Sequence, residues 1–187
     1  MSRKAVFLDR DGVINRAFVR EGKPYPPAGI AELEILPGVA EALQRLSAAG
    51  YYLAVVTNQP DVSRGKATRA SIEAIHDILR ERLPVDEVRV CYHDDRDECP
   101  CRKPAPGMIL DAAREAGIDL PSSYMVGDRW RDVEAGRRAG CVTVFVDHGY
   151  TETEPVSPDL RVSSLAEAAD RILSGAGRNS NTRGSKA

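Results

Sequence analysis

Asp9 and Asp11 stand two residues apart in Asp9-Arg10-Asp11-Gly12, directly after the apolar run Ala5-Val6-Phe7-Leu8. Such a run reads as a buried strand, and side chains at i and i+2 of a strand point the same way. Both carboxylates can therefore face one site at the strand's carboxyl end, where open α/β sheets bind ligands. The pair suits phosphoryl transfer: one carboxylate attacks phosphorus while the second handles the proton. A bare Asp-x-Asp also describes many solvated turns, so the assignment depends on what the rest of the chain brings to the same edge.

Strand and helix signals alternate along the 187 residues. Lys4 to Leu8 reads as the first strand, and residues 10–36, with several Gly and Pro, read as an irregular loop over the site. Pro37 opens a helix carrying Val39, Leu43 and Leu46 at helical spacing, and Gly50 ends it. Strands are expected at 52–56, 88–90, 124–126 and 142–146, and helices at 68–83, 106–116, 131–139 and 164–173. This alternation predicts one α/β domain over residues 1–173, with a parallel sheet and right-handed crossovers. The Gly/Ser/Asn/Arg-rich stretch 174–187 is expected to be a disordered tail.

In a parallel sheet the carboxyl ends of the strands share one edge. That edge would gather Asp9 and Asp11, Thr57 and Asn58, Lys103 from the loop beyond the third strand, and Asp128 with Asp132. Asp9 and Asp128 can hold magnesium, a hard cation that prefers oxygen ligands. The metal and Lys103 would offset phosphate charge so that an anionic nucleophile can approach. Thr57 and the backbone after it can donate to phosphoryl oxygens.

Taken in order, Asp9-Arg10-Asp11-Gly12, Thr57-Asn58-Gln59, Arg102-Lys103-Pro104 and Gly127-Asp128 with Asp132 resemble the four motifs of the haloacid dehalogenase (HAD) superfamily of aspartate-nucleophile phosphatases. The resemblance spans roughly residues 4 to 150 and implies a three-layer Rossmann-like fold. Arg64-Gly65, the Cys/His-rich loop and Cys101-Arg102-Lys103-Pro104 narrow it to the heptose bisphosphate phosphatase and histidinol-phosphate phosphatase group. Its implied roles are Asp9 as nucleophile, forming an aspartyl-phosphate, and Asp11 as proton donor and then base. Magnesium would be held by the Asp9 carboxylate, the Asp11 main-chain carbonyl and Asp128. Thr57 and Lys103 would hold the phosphoryl group, and Arg102 would contact the substrate. The leading substrate is the 7-phosphate of a heptose 1,7-bisphosphate. Histidinol phosphate is the alternative, and a polynucleotide 3′-phosphatase or a non-catalytic phosphate binder stands further off. Pro60-Asp61 replaces the Ser or Pro followed by Gly found in many heptose phosphatases, and the Cys/His spacing is shorter than in some of them.

Cys91-x-His93-x₅-Cys99-x-Cys101 offers three thiolates and one imidazole within eleven residues, the composition of a closed structural zinc site. With no open position, the zinc would brace the loop and fix where Arg102 and Lys103 point. The gaps after the first motif and between the second and third are too short for a cap domain. The loop at 16–30 and the zinc loop are therefore expected to shape the pocket. Asn58, Gln59, Arg20 and Arg129 are further candidates for substrate contact. His76 reads as a surface or boundary histidine, His148 as a turn residue, and Cys141 as a buried small hydrophobe.

A net charge of −2, with no basic segment, argues against a nucleic-acid partner. No apolar stretch approaches the roughly 20 residues of a membrane span, and Met1-Ser2-Arg3-Lys4 runs straight into the first strand without a signal-peptide pattern. The expectation is a cytoplasmic, monomeric enzyme acting on a small phosphorylated sugar.

Overall fold

The computed structural model describes residues 2–177. Six parallel strands form the central sheet: β1 (Ala5–Leu8), β4 (Tyr52–Asn58), β5 (Glu87–Cys91), β6 (Tyr124–Gly127), β7 (Val142–Val146) and β8 (Leu160–Val162). Their order is β5-β4-β1-β6-β7-β8. The chain moves outward from β1 through β4 and β5, then returns to the other side of β1 through β6. The crevice between β4, β1 and β6 is therefore the topological switch point, where such sheets bind ligands.

Alternation within each strand divides the core. Val6 and Leu8 of β1 join Leu53 and Val55 of β4 against helices α1 (Val39–Ala48), α2 (Arg69–Arg82) and α5 (Leu165–Leu173). Ala5, Phe7, Ala54 and Val56 face the other way, onto α3 (Gly107–Ala116) and α4 (Trp130–Ala139). A strand covered on both faces must be apolar throughout, and all four residues of β1 are fully buried. Polar side chains begin at Asp9, where the strand leaves the core.

Three differences from the sequence reading appear. Residues 10–36 are not wholly irregular: β2 (Phe18–Arg20) and β3 (Lys23–Tyr25) form an antiparallel hairpin. Its two turn residues, Glu21 and Gly22, both have positive φ (51° and 74°), which matches the twist of the flanking strands. The sixth strand, β8, was not expected, being three residues long. Residues 174–177 form a turn after α5, with the Tyr124 hydroxyl donating to the Ala176 carbonyl. The rest of the expected disordered tail lies outside the described residues.

Candidate active site

The carboxyl ends of β1, β4 and β6 open into a cavity of about 430 Å³. Asp9, Asp11, Thr57, Asn58, Gln59, Lys103, Asp128 and Asp132 line its floor, and cationic side chains stand around it, among them Arg20, Lys23, Arg64, Lys66, Arg129 and Arg131. No described helix is long and apolar enough to cross a membrane.

Lys103 is the hub of the floor. Its buried Nζ donates to Asp9 Oδ1 at 2.7 Å and to the Val56 carbonyl at 2.7 Å, and it lies 2.6 Å from Asp132 Oδ1. Burial works against the ammonium charge, but Asp132 and Asp9 outweigh it and push the pKa up to about 12. Asn58 aims this lysine: its amide donates to the Lys103 carbonyl at 3.0 Å and its oxygen accepts from the Lys103 N–H at 3.1 Å. Asp132 divides its oxygens between Lys103 and the Arg129 N–H at the start of α4. Gly127 allows the close approach, since a Cβ there would lie 2.1 Å from Asp132 Cβ.

The two motif acids have opposite surroundings. Burial raises Asp9 to about 6 despite the pull of Lys103, with Asp132 and Asp11 adding repulsion. Burial acts on Asp11 as well, but Arg10, Asn15 and Gln59 reverse it and hold its carboxyl below the usual range. Arg10 grips Asp11 with two bonds, Nε to Oδ1 at 3.1 Å and Nη2 to Oδ2 at 2.9 Å. Asn15 Nδ2 and Gln59 Nε2 each donate to Asp11 at 2.9 Å, and the same Gln59 nitrogen reaches Thr57 Oγ1 at 2.9 Å.

Asp9, Asp128 and Asp132 place carboxylate oxygens within 4.8 Å of one another. Both Asp128 oxygens are buried without a well-formed hydrogen bond, and burial with the charges of Asp9 and Asp132 raises this acid well above its ordinary value. Uncompensated buried oxygens of this kind fit a hard divalent cation. Gly12 keeps the space clear. Its φ is +85°, and a Cβ there would meet Asp128 Oδ2 at 1.9 Å.

Beside β5, the Cys91, Cys99 and Cys101 sulfurs and His93 Nδ1 are gathered, with closest separations from 3.2 to 3.7 Å. A tetrahedron with bonds of about 2.0–2.3 Å has edges of roughly 3.3–3.8 Å, so the four donors are spaced for zinc. Gln59 N–H donates to the Cys91 carbonyl at 2.7 Å, tying this loop to the floor.

The remaining candidates fall in different places. Arg20 lines the cavity and lies over the Tyr25 ring, 5.6 Å from its centroid. Arg129 lines it too, bound to Glu152 through Nε at 2.8 Å. Arg102 is outside the lining. Its guanidinium is spent on Asp95 at 2.9 Å and the His93 carbonyl at 3.1 Å, while Arg131 binds the same Asp95 from the cavity side. His148 accompanies the site loop, with Nε2 2.7 Å from the Gly12 carbonyl oxygen. His76 is not at a surface or boundary but wholly buried, in contact with Arg10. The parts Arg10, Asn15 and His76 play around Asp11 were not read from the sequence. The only signal lay in Arg10 and Asn15 flanking Asp11 within a buried motif.

A family model described as HAD-hydrolase-like matches residues 100–168. The D-glycero-β-D-manno-heptose-1,7-bisphosphate 7-phosphatase of Bordetella bronchiseptica is 40% identical over 154 residues, covering 78% of this chain and 82% of the relative. The Escherichia coli K12 protein of the same name is 36% identical over 184 residues, covering 90% and 87%. The crystal structure of the B. bronchiseptica heptose bisphosphate phosphatase with magnesium and phosphate superposes with a TM-score of 0.75 at 32% identity, covering 92% of this chain and 99% of that one. The chain thus belongs to the HAD-type heptose 1,7-bisphosphate phosphatase family of phosphoric monoester hydrolases.

Proposed function

We propose that this protein is a magnesium-dependent phosphatase that removes the 7-phosphate of D-glycero-β-D-manno-heptose 1,7-bisphosphate through an aspartyl-phosphate. The observation that carries the reading is the convergence of Asp9, Asp11, Thr57, Lys103 and Asp128 on one cation-rimmed cavity. The Asp9 carboxylate, the Asp11 main-chain carbonyl and Asp128 would hold magnesium. Bound there, it would offset negative charge on the phosphoryl oxygens. Cys91, His93, Cys99 and Cys101 would hold a structural zinc.

Asp9 attacks phosphorus, and the bond from phosphorus to the sugar oxygen breaks. Lys103 fixes the attacking carboxylate and faces the transferring group, and Thr57 donates to it. Asp11 gives the leaving oxygen its proton. Since Arg10 and its neighbours hold Asp11 ionised, that proton enters with the substrate's phosphate, whose second ionisation lies at about 6. Water then attacks the aspartyl-phosphate, Asp11 accepts a proton from it, and the phosphorus–Asp9 bond breaks. Asp11 returns that proton to the departing inorganic phosphate, and both carboxylates are restored.

The second phosphate of the substrate meets the cations around the cavity, among them Arg20, Lys66 and Arg129. Cysteines kept as thiols, three of them for zinc, fit a reducing compartment, and we place the reaction in the cytoplasm. The test is kcat/KM with magnesium for both heptose 1,7-bisphosphate anomers, fructose 1,6-bisphosphate and histidinol phosphate. A preference of about 10²-fold for the β-heptose is expected. Higher kcat/KM for histidinol phosphate, which the curated relatives do not favour, would overturn the substrate assignment and leave the chemistry in place.

A further inference from the structure

Behind Asp11 a second layer of polar groups, buried at Arg10 and His76 and half-buried at Glu73 and Tyr92, runs away from the cavity. Arg10 is fully buried and uses one edge of its guanidinium on Asp11. Its remaining terminal nitrogen, Nη1, lies 3.0 Å from Nε2 of His76, on α2. An arginine nitrogen can only donate, so Nε2 must accept and the ring hydrogen must sit on Nδ1. Nδ1 faces Glu73 Oε2 at 3.5 Å, and the Tyr92 hydroxyl donates to the other oxygen of Glu73. The order Asp11–Arg10–His76–Glu73–Tyr92 thus links the cavity floor to the residue between Cys91 and His93. No other part of the proposed reaction uses His76 or Glu73.

From this geometry we infer that His76 is a positioning residue for proton transfer by Asp11. A guanidinium held at one edge only can pivot about its bonds to the carboxylate. The contact at Nη1 fixes its plane, and the two parallel bonds to Asp11 then fix the carboxylate's plane. A misplacement on the order of 1 Å can cost 10²-fold in rate, within the ~10²–10⁴ that general acid–base catalysis supplies.

This inference rests on Asp11 being the proton donor, and the experiment separates the two claims. The readout is kcat/KM with magnesium for p-nitrophenyl phosphate, phenyl phosphate and heptose 1,7-bisphosphate. p-Nitrophenolate leaves without a proton; phenolate and the sugar alkoxide need one progressively more. His76→Leu removes the acceptor. It is expected to lose on the order of 10²-fold on the sugar phosphate, less on phenyl phosphate and under about threefold on p-nitrophenyl phosphate. His76→Gln, whose carbonyl reaches the place of Nε2, is expected to stay within about threefold of wild type on all three, since it keeps the bond that fixes Arg10. Equal losses across the series, or none, would overturn the inference. Should His76→Leu fail to fold, His76→Asn serves, being polar but too short to reach Nη1. Asp11→Asn is the control. If it shows no leaving-group dependence, the proton role of Asp11 fails. If it does and His76→Leu does not, only the positioning claim fails.

Discussion

Below about pH 6.5 the buried imidazole of His76 should make this fold progressively less stable. Burial and then the charge of Arg10 lower its pKa from 6.5 to about 4, with Glu73 only partly opposing them. An unfolded chain takes up a proton on this ring near 6.5, whereas the folded chain does so only near 4. Above the higher value both states are neutral there and the residue adds no pH dependence. Between the two, the unfolded state binds more protons, so stability is lost as pH falls. The gap converts to about 3 kcal/mol, fully lost below pH 4, a large share of an ordinary domain's stability. Many carboxylates titrate in the same range, so the assay is a difference. Urea unfolding of wild type and His76→Gln is followed every half unit from pH 4 to 8. At pH 8 the variant should be the less stable, by about 1 kcal/mol for an imperfect buried hydrogen bond. Near pH 4.5 the order should reverse, because glutamine cannot be protonated there. Parallel curves across the range would refute the claim that the folded protein holds this ring neutral between Arg10 and Glu73.

Three further outcomes follow from the same geometry. Asp9→Asn should abolish phosphate release while leaving the circular dichroism spectrum and zinc content unchanged; near-normal turnover would rule out a covalent intermediate on Asp9. Gly12→Ala should cost about 1–2 kcal/mol for its left-handed backbone and more for displacing Asp128. Its magnesium affinity, titrated by calorimetry, should fall at least tenfold, and unchanged affinity would remove Asp128 from the metal site. Protein purified without chelator should carry about one zinc per chain by elemental analysis, lost on Cys99→Ser with a lower melting temperature. Far less than one zinc in the wild type would leave the Cys/His loop without its metal.

Much of the catalytic floor was legible because Asp9, Thr57 and Asp128 each follow an apolar run, while Lys103 and Asp132 were placed by motif order. The burial pattern of β1, β4 and β6 predicts where the backbone stops being covered, and Asp9, Thr57 and Asp128 stand at or just past those points. Short-range spacing likewise exposed Cys91, His93, Cys99 and Cys101. What the sequence could not reveal depends on pairing across the fold. Arg102, adjacent to Lys103, looks like a phosphate ligand, yet Asp95 claims its guanidinium from seven residues upstream. His76 lies on a helix face whose burial against Arg10, sixty-six residues away, leaves no local mark. The hairpin of β2 and β3 was hidden for a different reason: three-residue strands carry too little alternation to be read.

Charge accounting on the floor explains why its acids differ so much. Asp9, Asp11, Asp128 and Asp132 are opposed there by Lys103 and Arg10, leaving a deficit of two positive charges on a floor buried everywhere but at Asp11. Arg10 is committed to Asp11, and Lys103 is shared by Asp9 and Asp132. The deficit therefore falls on Asp9 and Asp128, the two acids whose pKa values are raised. Without a cation, burial and mutual repulsion favour a proton on Asp128 and, toward pH 6, on Asp9. One divalent ion on Asp9 and Asp128 would close the deficit and keep both carboxylates ionised. The floor would then be neutral, so attraction for the substrate's phosphates falls chiefly to Arg20, Lys23 and Lys66 around the cavity, since Arg64, Arg129 and Arg131 are paired with Asp94, Glu152 and Asp95. Catalytic charge and recruiting charge are thus held by different layers of the site. Neutralising cavity cations such as Arg20 should raise KM and its salt dependence while leaving kcat nearly intact. Removing Lys103 should do the opposite, and the two variants measured side by side would show whether that division holds.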